Sequence, residues 1–236
     1  MDEERRIWLF LLDFINNPYG VAGLMGNLYA ESRLEPTCTC PKKSSYLSNI
    51  NRDKFINDSV AFGLVQWRYH VRKKLLWDFI DESTHNPIKY LGQTILQLNY
   101  LKHELEHYYK GVLRTLQQAK TVQEASDIVI LKYEKPGNVT DTAKAKRAEY
   151  GKRYFDKYVQ KGTSNMNDKY VETTAPNVNL RTGNGKEFGI LVRIGIQGTR
   201  LKYVSTANNG WVAVVTASGR NVGWVDPNFV KEVNPQ

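Results

Sequence analysis

Apolar residues in the first 160 positions recur at helical spacing. Large apolar side chains stand three or four positions apart, the repeat of an amphipathic helix, in residues 7–15, 71–80 and 95–105. Asn17-Pro18 is a typical helix start, because a capping residue precedes a proline at the first helical position. The pattern predicts a mainly helical N-terminal part, with one helix over residues 18–32 and a last helix over residues 140–159.

The pattern changes after residue 168. Valine, isoleucine and tyrosine then alternate with polar residues, as in half-buried strands, and turn dipeptides follow at Asn184-Gly185, Asn209-Gly210 and Ser218-Gly219. The preceding stretch contains Gly, Ser, Asn and Thr, as a flexible linker does. The sequence therefore predicts an α+β protein: a helical domain over 1–160, a linker over 161–168 and a small all-β barrel over 169–236.

Composition and charge narrow the class of protein only slightly. With 41% hydrophobic and 24% charged residues, the 236-residue chain has an ordinary globular composition, so global disorder is not expected. The formal net charge is +9, and basic residues outnumber acidic ones both before and after Gly162. This balance favours polyanionic partners such as nucleic acid, anionic lipid or teichoic-acid-bearing cell wall, without choosing among them.

No stretch approaches the roughly 18 to 20 apolar residues that a membrane-spanning helix needs. The acidic start, Met1-Asp2-Glu3-Glu4, is unlike a signal peptide. We therefore expect a protein that is made in a cytoplasm and does not insert into a membrane. If its target lies outside the cell, another component must release it.

The two cysteines lie in a polar, proline-containing stretch that we expect to form loops or short strands. Cys38 and Cys40 flank a single residue, so a bridge between them would close a very tight loop. Two thiols alone also make a poor metal site. We expect two free thiols, no metal and no cofactor.

A glycine-rich helix ending in a glutamate is the first candidate for chemistry. Gly20, Gly23 and Gly26 each cost about 1 kcal/mol relative to alanine inside a helix, so close packing must compensate them. Glu31 would leave this buried helix where Arg33-Leu-Glu-Pro36 breaks it. A carboxyl group against apolar walls can stay protonated near neutral pH and act as a general acid. Taken on its position alone, Glu31 could equally be a solvated residue at a helix end.

A lone amide in an apolar segment is the second candidate. Residues 61–67 read Ala-Phe-Gly-Leu-Val-Gln-Trp, which places Gln66 among apolar neighbours. A buried glutamine needs hydrogen-bond partners. A sugar could supply them through its hydroxyl and N-acetyl groups, or the protein could supply them internally.

Three motifs resemble those of the phage tail lysozyme family, which is related to goose-type lysozymes and lytic transglycosylases. In order, they are Gly26-Asn-Leu-Tyr-Ala-Glu31-Ser32, Phe62-Gly-Leu-Val-Gln66-Trp67 and Tyr133-Glu134-Lys135-Pro136-Gly137, within about residues 8–158. The resemblance implies a mostly helical, lysozyme-like fold. It also implies hydrolysis of the β-1,4 bond between N-acetylmuramic acid and N-acetylglucosamine.

The same resemblance implies roles for individual residues. Glu31 would be the general acid and Gln66 would line the sugar cleft. Tyr133 would form a wall of that cleft, or else belong to the core. Glu134 would be a structural partner of an arginine or a backbone group, rather than a catalytic residue.

The second carboxylate is the least certain part of the predicted site. An inverting glycosidase places its base roughly 6.5 to 9.5 Å from the acid, and a retaining one places a nucleophile at about 5 to 5.5 Å. Asp58 is our candidate, with Asp53 and Glu35 behind it, although an aspartate at such a position can simply cap a turn. Some relatives use no second carboxylate and form an anhydro product instead, so a lytic transglycosylase stays open.

The C-terminal part resembles bacterial SH3-like domains. The opening Asn179-Leu-Arg-Thr-Gly-Asn-Gly185 and the Gly-Trp segments at Gly210-Trp211 and Gly223-Trp224 carry the likeness, over about residues 170–233. The resemblance implies a module that binds the cell wall and performs no chemistry. Its candidate wall-binding residues, each of which could instead belong to the barrel core, are Arg181, Tyr203, Trp211 and Trp224.

Together, the two resemblances imply a phage endolysin whose partner is bacterial peptidoglycan. It would be made in the host cytoplasm and reach the wall when a holin opens the membrane. Binding the wall through one domain would raise the local substrate concentration for the other. No recognition motif accompanies the positive charge, so nucleic acid is not an expected partner.

Three other interpretations stay open at this point. One is a cysteine peptidase or amidase built on Cys38 or Cys40 with His70, and another is a catalytically inactive wall-binding or tail structural protein. The third is a lysin that is attached to a phage tail, although the two-domain layout favours a free endolysin. The oligomeric state is not predicted.

Overall fold

A computed structural model describes residues 3–135, 137, 139–160, 169–207, 209–216 and 222–233. Within these residues the N-terminal part is helical and the C-terminal part is a β-sheet. The helices are α1 (Glu3–Ile15), α2 (Pro18–Ser32), α3 (Arg52–Asn57), α4 (His70–Thr84), α5 (Pro87–Tyr90), α6 (Thr94–His107), α7 (Lys110–Gln118), α8 (Val122–Ile128) and α9 (Asp141–Phe155). The predicted α+β class is confirmed.

The helix predicted over residues 18–32 is confirmed as α2. The side chain of Asn17 caps its start by accepting a hydrogen bond from the Tyr19 backbone N–H, and Pro18 occupies the first position. Arg33 ends the helix in the left-handed conformation, at φ 59°, and its N–H bonds to the Tyr29 carbonyl. This termination fixes where the last turn, which carries Glu31, meets the following loop.

Helix α2 is the central element of the helical part. All nine residues from Gly20 to Leu28 are buried. A Cβ at Gly23 would lie 2.5 Å from the Ala125 Cβ in α8, and a Cβ at Gly26 would lie 2.3 Å from the Arg147 carbonyl oxygen in α9. The close packing expected to compensate these glycines is therefore present, because neighbouring backbone occupies the space that side chains would need.

A π-helical turn, Val129–Glu134, continues the chain from α8. It ends at Lys135, whose φ of 47° is left-handed. Such turns are rare and often lie at functional sites. This one brings Tyr133 and Glu134 next to the end of α2.

The polar stretch between α2 and α4 contains the expected loops and short strands, and also the short helix α3, which was not predicted. Strand β1 (Thr39–Cys40) pairs antiparallel with β2 (Ala61–Phe62). Phe62 then pairs with Trp67, so residues 62–67 form a tight hairpin.

The C-terminal part is one antiparallel sheet of seven strands in the order β5-β4-β8-β7-β6-β3-β9. Its strands are β3 (Tyr170–Thr173), β4 (Val178–Arg181), β5 (Ile190–Ile194), β6 (Arg200–Thr206), β7 (Val212–Val215), β8 (Val222–Val225) and β9 (Val230–Val233). Among the described residues the end strands β5 and β9 do not pair with each other. The prediction of a closed barrel is therefore wrong, although the all-β character is right.

The sheet is covered on both faces along β7, where all four residues are buried. Val212 and Val214 join a core made by the sheet's own strands, whereas Ala213 and Val215 join the core of the helical part. Because side chains alternate along a strand, β7 separates two apolar layers. The predicted strand alternation is absent here, since neither face of β7 is left to solvent.

Other contacts join the sheet to the helices. The Phe188 ring packs edge-on against Tyr90 at 4.3 Å between centroids, and the Tyr90 hydroxyl donates to Glu187 at 2.7 Å. The Gly189 N–H also bonds to the Ser83 carbonyl. The predicted linker over 161–168 lies outside the described residues. No described helix is long and apolar enough to span a membrane.

Two glycine substitutions test the packing of α2. We expect Gly26→Ala to destabilise the protein by at least the 1–3 kcal/mol or so that overpacking costs, because the added Cβ would meet α9 backbone. Gly111→Ala in α7 is the matched control, since a Cβ there meets nothing within 4 Å. It should stabilise by up to about 1 kcal/mol through helix propensity. Urea unfolding measures both, and equal stabilities would contradict the close approach of α2 and α9.

Candidate active site

Glu31 lies in the last turn of α2 and is held by an arginine from α9. The Nη2 of Arg147 is 2.5 Å from Glu31 Oε1, and its Nη1 donates to Asn27 Oδ1 at 3.2 Å. Asn27 is itself fixed, because its amide donates to the Gly23 carbonyl and to Ser126. The Glu31 side chain keeps 22% of its surface exposed. It is thus a positioned carboxyl that solvent, or a ligand, can reach.

A second carboxyl, Glu134, lies beside Glu31 at the end of the π-helical turn. Its Oε1 is shielded from solvent and has no hydrogen-bond partner among the described residues. Burial and the negative charge of Glu31 raise the pKa of Glu134 to about 8, although Arg72 and Arg147 act in the opposite direction. Glu134 therefore holds a proton at neutral pH. Two neighbouring carboxyls in such different settings are the usual basis of acid–base chemistry.

A buried glutamate on α6 organises the residues behind this pair. Glu104 is 1% exposed and accepts hydrogen bonds from Trp67 Nε1 at 2.9 Å, from Arg72 Nε at 2.7 Å and from the Tyr133 hydroxyl at 2.6 Å. A second bond from Arg72 Nη2, at 2.9 Å, completes a bidentate pair. The network fixes the ends of the Gln66 hairpin and of the π-helical turn relative to each other.

Gln66 lies in the hairpin that adjoins the end of α2. Its Nε2 donates to the carbonyls of Gly63 and Cys38, at 2.9 and 3.1 Å. The Ser32 hydroxyl, next to Glu31 in sequence, donates to the Leu64 carbonyl of the same hairpin. Within the part of the chain that the structure describes, Gln66 Oε1 is buried without a partner. The protein itself therefore satisfies the N–H groups of this amide, whereas its oxygen remains available to accept a hydrogen bond.

Tyr133 is placed differently from the expected cleft wall. Its side chain is 1% exposed, its ring meets Tyr109 edge-on at 4.8 Å, and Arg72 lies over it at 4.8 Å. A ring so enclosed has no face for a sugar. The alternative that Tyr133 is a core aromatic agrees with this environment.

Asp58 binds a lysine rather than lying free in a cleft. Its carboxylate accepts hydrogen bonds from Lys73 Nζ, from the Tyr46 hydroxyl at 2.9 Å and from the Val60 N–H at 3.1 Å. The Lys73 side chain is fully buried, and burial lowers its pKa despite the opposing effect of Asp58. These partners come from α4 and the loops before β2, so they describe a structural ion pair.

The weaker candidates for the second carboxylate are both at the surface. Asp53 is exposed in the first turn of α3. Glu35 is exposed as well, and its Oε1 accepts hydrogen bonds from the backbone and hydroxyl of Thr37. Glu35 therefore caps a local turn, whereas Asp53 lies in a helical turn that Asn51 caps.

The cysteines show no sign of activation. Cys38 and Cys40 are free thiols, and burial raises the pKa of Cys38, which disfavours the reactive thiolate. His70 is exposed at the start of α4. A search for three or more clustered His, Cys, Asp or Glu side chains finds no potential metal site in the described ranges.

The four candidate wall-binding residues do not share one site. Arg181 and Trp211 line a cleft of about 160 Å³ together with Asp226 and Phe229. Tyr203 lies on β6 at the border of a different groove, and its ring packs against the core made by the sheet's own strands. Trp224 is 3% exposed, as expected for its alternative assignment to the core.

Two residues of the site, Arg147 and Glu104, were missed by sequence reasoning. Arg147 is one of several cations on α9 and nothing in the sequence distinguishes it. Glu104 lies in a helix whose apolar pattern conceals it. Glu134 was identified, but its neighbour Glu31 is more than a hundred residues away in sequence, so their interaction could not be foreseen.

Replacing Glu134 tests its buried, protonated state. Folded Glu134 keeps its proton to about pH 8, whereas the unfolded chain releases it near its ordinary value of 4.5. Each pH unit in this window should therefore cost the wild type about 1.4 kcal/mol of unfolding free energy. Glu134→Gln removes this cost, so its stability relative to the wild type should be higher at pH 8 than at pH 5. Denaturant unfolding at both pH values is the measurement.

The control for this measurement is Glu149→Gln, which changes an exposed glutamate on α9. Its stability difference from the wild type should hardly depend on pH. An equal difference at pH 5 and pH 8 for Glu134→Gln would show that Glu134 ionises normally.

Comparison with known families identifies the helical part. The phage tail lysozyme family matches residues 2–158, which include α1 to α9 and the residues Glu31, Glu104 and Glu134. No match was found among curated proteins. Since the match covers well over half of the chain and supports a lysozyme-like function acting on peptidoglycan, the chain belongs to the phage tail lysozyme family.

Proposed function

We propose that this protein is a glycosidase that hydrolyses the β-1,4 bond between N-acetylmuramic acid and N-acetylglucosamine in peptidoglycan. The observation that carries the proposal is the pair of unlike carboxyls at the end of α2. Glu31 is accessible and bound to Arg147, and Glu134 is shielded and protonated beside it. An inactive wall-binding or tail protein would have no use for so costly a pair.

In this mechanism Glu31 is the general acid and Glu134 tunes it. A sugar entering the cleft displaces water from Glu31, and this loss of solvation favours uptake of the proton that Glu31 must carry. Glu31 then protonates the leaving oxygen as the glycosidic bond breaks, and water bonds to the sugar carbon and releases its own proton to solvent. Arg147, at 2.5 Å, stabilises the Glu31 carboxylate that remains.

The other residues of the site bind and position. Gln66 Oε1, which no described group satisfies, is available to a sugar hydroxyl or to an N-acetyl N–H. Tyr133 acts as a positioning residue, because its hydroxyl donates a hydrogen bond to Glu104 and not to a substrate. Arg72 belongs to the same network, and its positive charge lowers the pKa of Glu134.

A lytic transglycosylase is the second candidate, and the environment of Asp58 favours it. Three donors already engage the Asp58 carboxylate, so this residue is poorly placed to activate a water molecule. A substrate hydroxyl would then attack and leave an anhydro end. A cysteine peptidase has less support, because the raised pKa of Cys38 disfavours the thiolate that such an enzyme needs as its nucleophile.

The C-terminal sheet fits a wall-targeting role. Its motifs resemble SH3-like domains, and the cleft at Arg181 and Trp211 combines an aromatic face with charged groups. We propose that this sheet binds the cell wall and that the whole chain is an endolysin, made in the host cytoplasm and dependent on a holin for its release.

Digestion of purified peptidoglycan tests the reaction. The wild type should release new reducing sugar ends, and Glu31→Gln should lower the rate by about 10²- to 10⁴-fold, as expected for loss of a general acid. Mass spectrometry of the ends separates hydrolysis from anhydro products. Glu35→Gln, which changes an exposed glutamate four residues away, is the control and should act like the wild type. Equal activity of Glu31→Gln and wild type, or free amino groups without new sugar ends, would refute a glycosidase.

The second carboxylate is tested by a pair of substitutions. Asp58→Asn alone should cost about 3–5 kcal/mol of stability, because it leaves a buried lysine without its anion. Asp58→Asn combined with Lys73→Met should recover much of this stability, and we expect it to retain peptidoglycan cleavage. Glu134→Gln should instead remain folded and lose activity. A folded double variant without activity would make Asp58 the catalytic residue.

A further inference from the structure

A large groove separates α1 from the sheet, far from Glu31. It has a volume of about 880 Å³ and lies between α1, α6 and α7 on one side and β6 and β7 on the other. Cavities of this size, at the boundary of two structural units, are where ligands commonly bind. Pro18 borders the groove and begins α2, so at 1.5 Å per residue Glu31 lies about 20 Å farther along that helix.

The lining combines apolar faces with amides. Phe14 contributes a half-buried ring, whereas Asn16 and Gln117 are exposed at the rim. Interfaces inside a protein are normally filled at high density. A groove left open between two apolar surfaces, with polar groups at its rim, has the character of a binding site rather than of a packed joint.

A buried acid completes the lining. Asp13 Oδ2 is shielded from solvent and is without a hydrogen-bond partner in the described ranges, which is costly for a carboxyl oxygen. Burial raises the pKa of Asp13 to about 7, although Lys102 from α6 and Lys202 from β6 lower it. Near neutral pH this group can both donate and accept hydrogen bonds, as a ligand hydroxyl requires.

The charges of the groove exclude a strongly anionic ligand. Its ionisable side chains are two acids, Asp13 and Glu106, and two bases, Lys102 and Lys202. Their formal charges cancel when both acids are ionised and leave a single positive charge when Asp13 is protonated. A polyanion such as teichoic acid would therefore gain little there, whereas a neutral polymer with hydroxyl and amide groups would meet matching partners.

We propose that this groove is a second glycan-binding site, which takes a stretch of the peptidoglycan sugar strand remote from the bond being cleaved. The identity of the glycan rests on the proposed function. The apolar face of a sugar ring would lie on Phe14, and the hydroxyl and N-acetyl groups of the strand would bond to Asp13, Asn16 and Gln117. Holding the strand at two places raises the effective concentration of the scissile bond at Glu31.

The test uses the full chain carrying Glu31→Gln and a hexamer of N-acetylglucosamine as the probe. Backbone amide NMR shifts should change at two separate places, around Gly63–Gln66 and around Leu113 and Tyr203 in the groove. Gln117→Ala should weaken only the groove binding, by roughly fivefold, the usual effect of one lost hydrogen bond. Gln118→Ala is the matched control, since this neighbour is exposed but does not line the groove.

Phe14→Ala is a second variant, expected to lower groove binding about tenfold through loss of the ring face. Shifts confined to the Gly63–Gln66 region, or identical affinities of Gln117→Ala and Gln118→Ala, would overturn the proposal. So would groove shifts that appear only with a teichoic-acid polymer. Groove shifts by the hexamer in a protein whose wild type releases no sugar ends would refute the proposed reaction and leave the glycan site standing.

Discussion

The close approach of α2 and α9 is the constraint on which the site depends. It is reciprocal: a Cβ at Gly26 would meet α9 backbone at 2.3 Å, and a Cβ at Gly151 would lie 2.6 Å from the Ala22 carbonyl oxygen. Two helices can approach so closely only where both lack side chains. Arg147 lies one turn before Gly151, so the same contact that joins the backbones brings its guanidinium to Glu31. The geometry of the acid is therefore set by packing, and its loss would follow from any larger residue at these glycines.

The electrostatics of the site divide its carboxyls into satisfied and unsatisfied groups. Glu104 accepts four hydrogen bonds and is neutralised by Arg72, which makes a buried charge tolerable. Glu134 does not share these donors: its Oε1 has no partner among the described residues, and its carboxyl retains its proton. A fold selected for stability alone would replace such a group with an apolar one. Its presence beside the accessible Glu31 is the strongest physical argument for chemistry at this place.

Local patterns in the sequence predict local structure here, and the site depends on distant contacts. The cap at Asn17, the glycine spacing of α2 and the hydrophobic repeats were sufficient to predict the long helices α1, α2, α4, α6 and α9 and the burial of α2, but not the shorter helices α3, α5 and α7. These patterns could not distinguish Arg147 from the other cations of α9. What sets Arg147 apart is its contact with Glu31, which lies 116 residues away in the sequence. The prediction of a barrel was wrong for a related reason. Turn residues and alternating hydrophobicity indicate where strands lie, but not whether the two end strands of the sheet pair with each other. Asp58 and Glu134 illustrate the same limit, as the donors around a carboxylate are known only once the fold is known.

The packing of the sheet against the helices changes how wall binding would assist cleavage. A flexible tether raises the local concentration of substrate but leaves its orientation free. Here Ala213 and Val215 of β7 are buried in the core of the helical part, and Phe188 packs on Tyr90, so the described sheet rests on the helices over an apolar surface. A wall polymer held by the sheet, or by the groove along its boundary with α1, would therefore lie at a fixed distance and angle from Glu31. Orientation of this kind contributes to catalysis directly, because it removes rotational freedom from the substrate before the reaction.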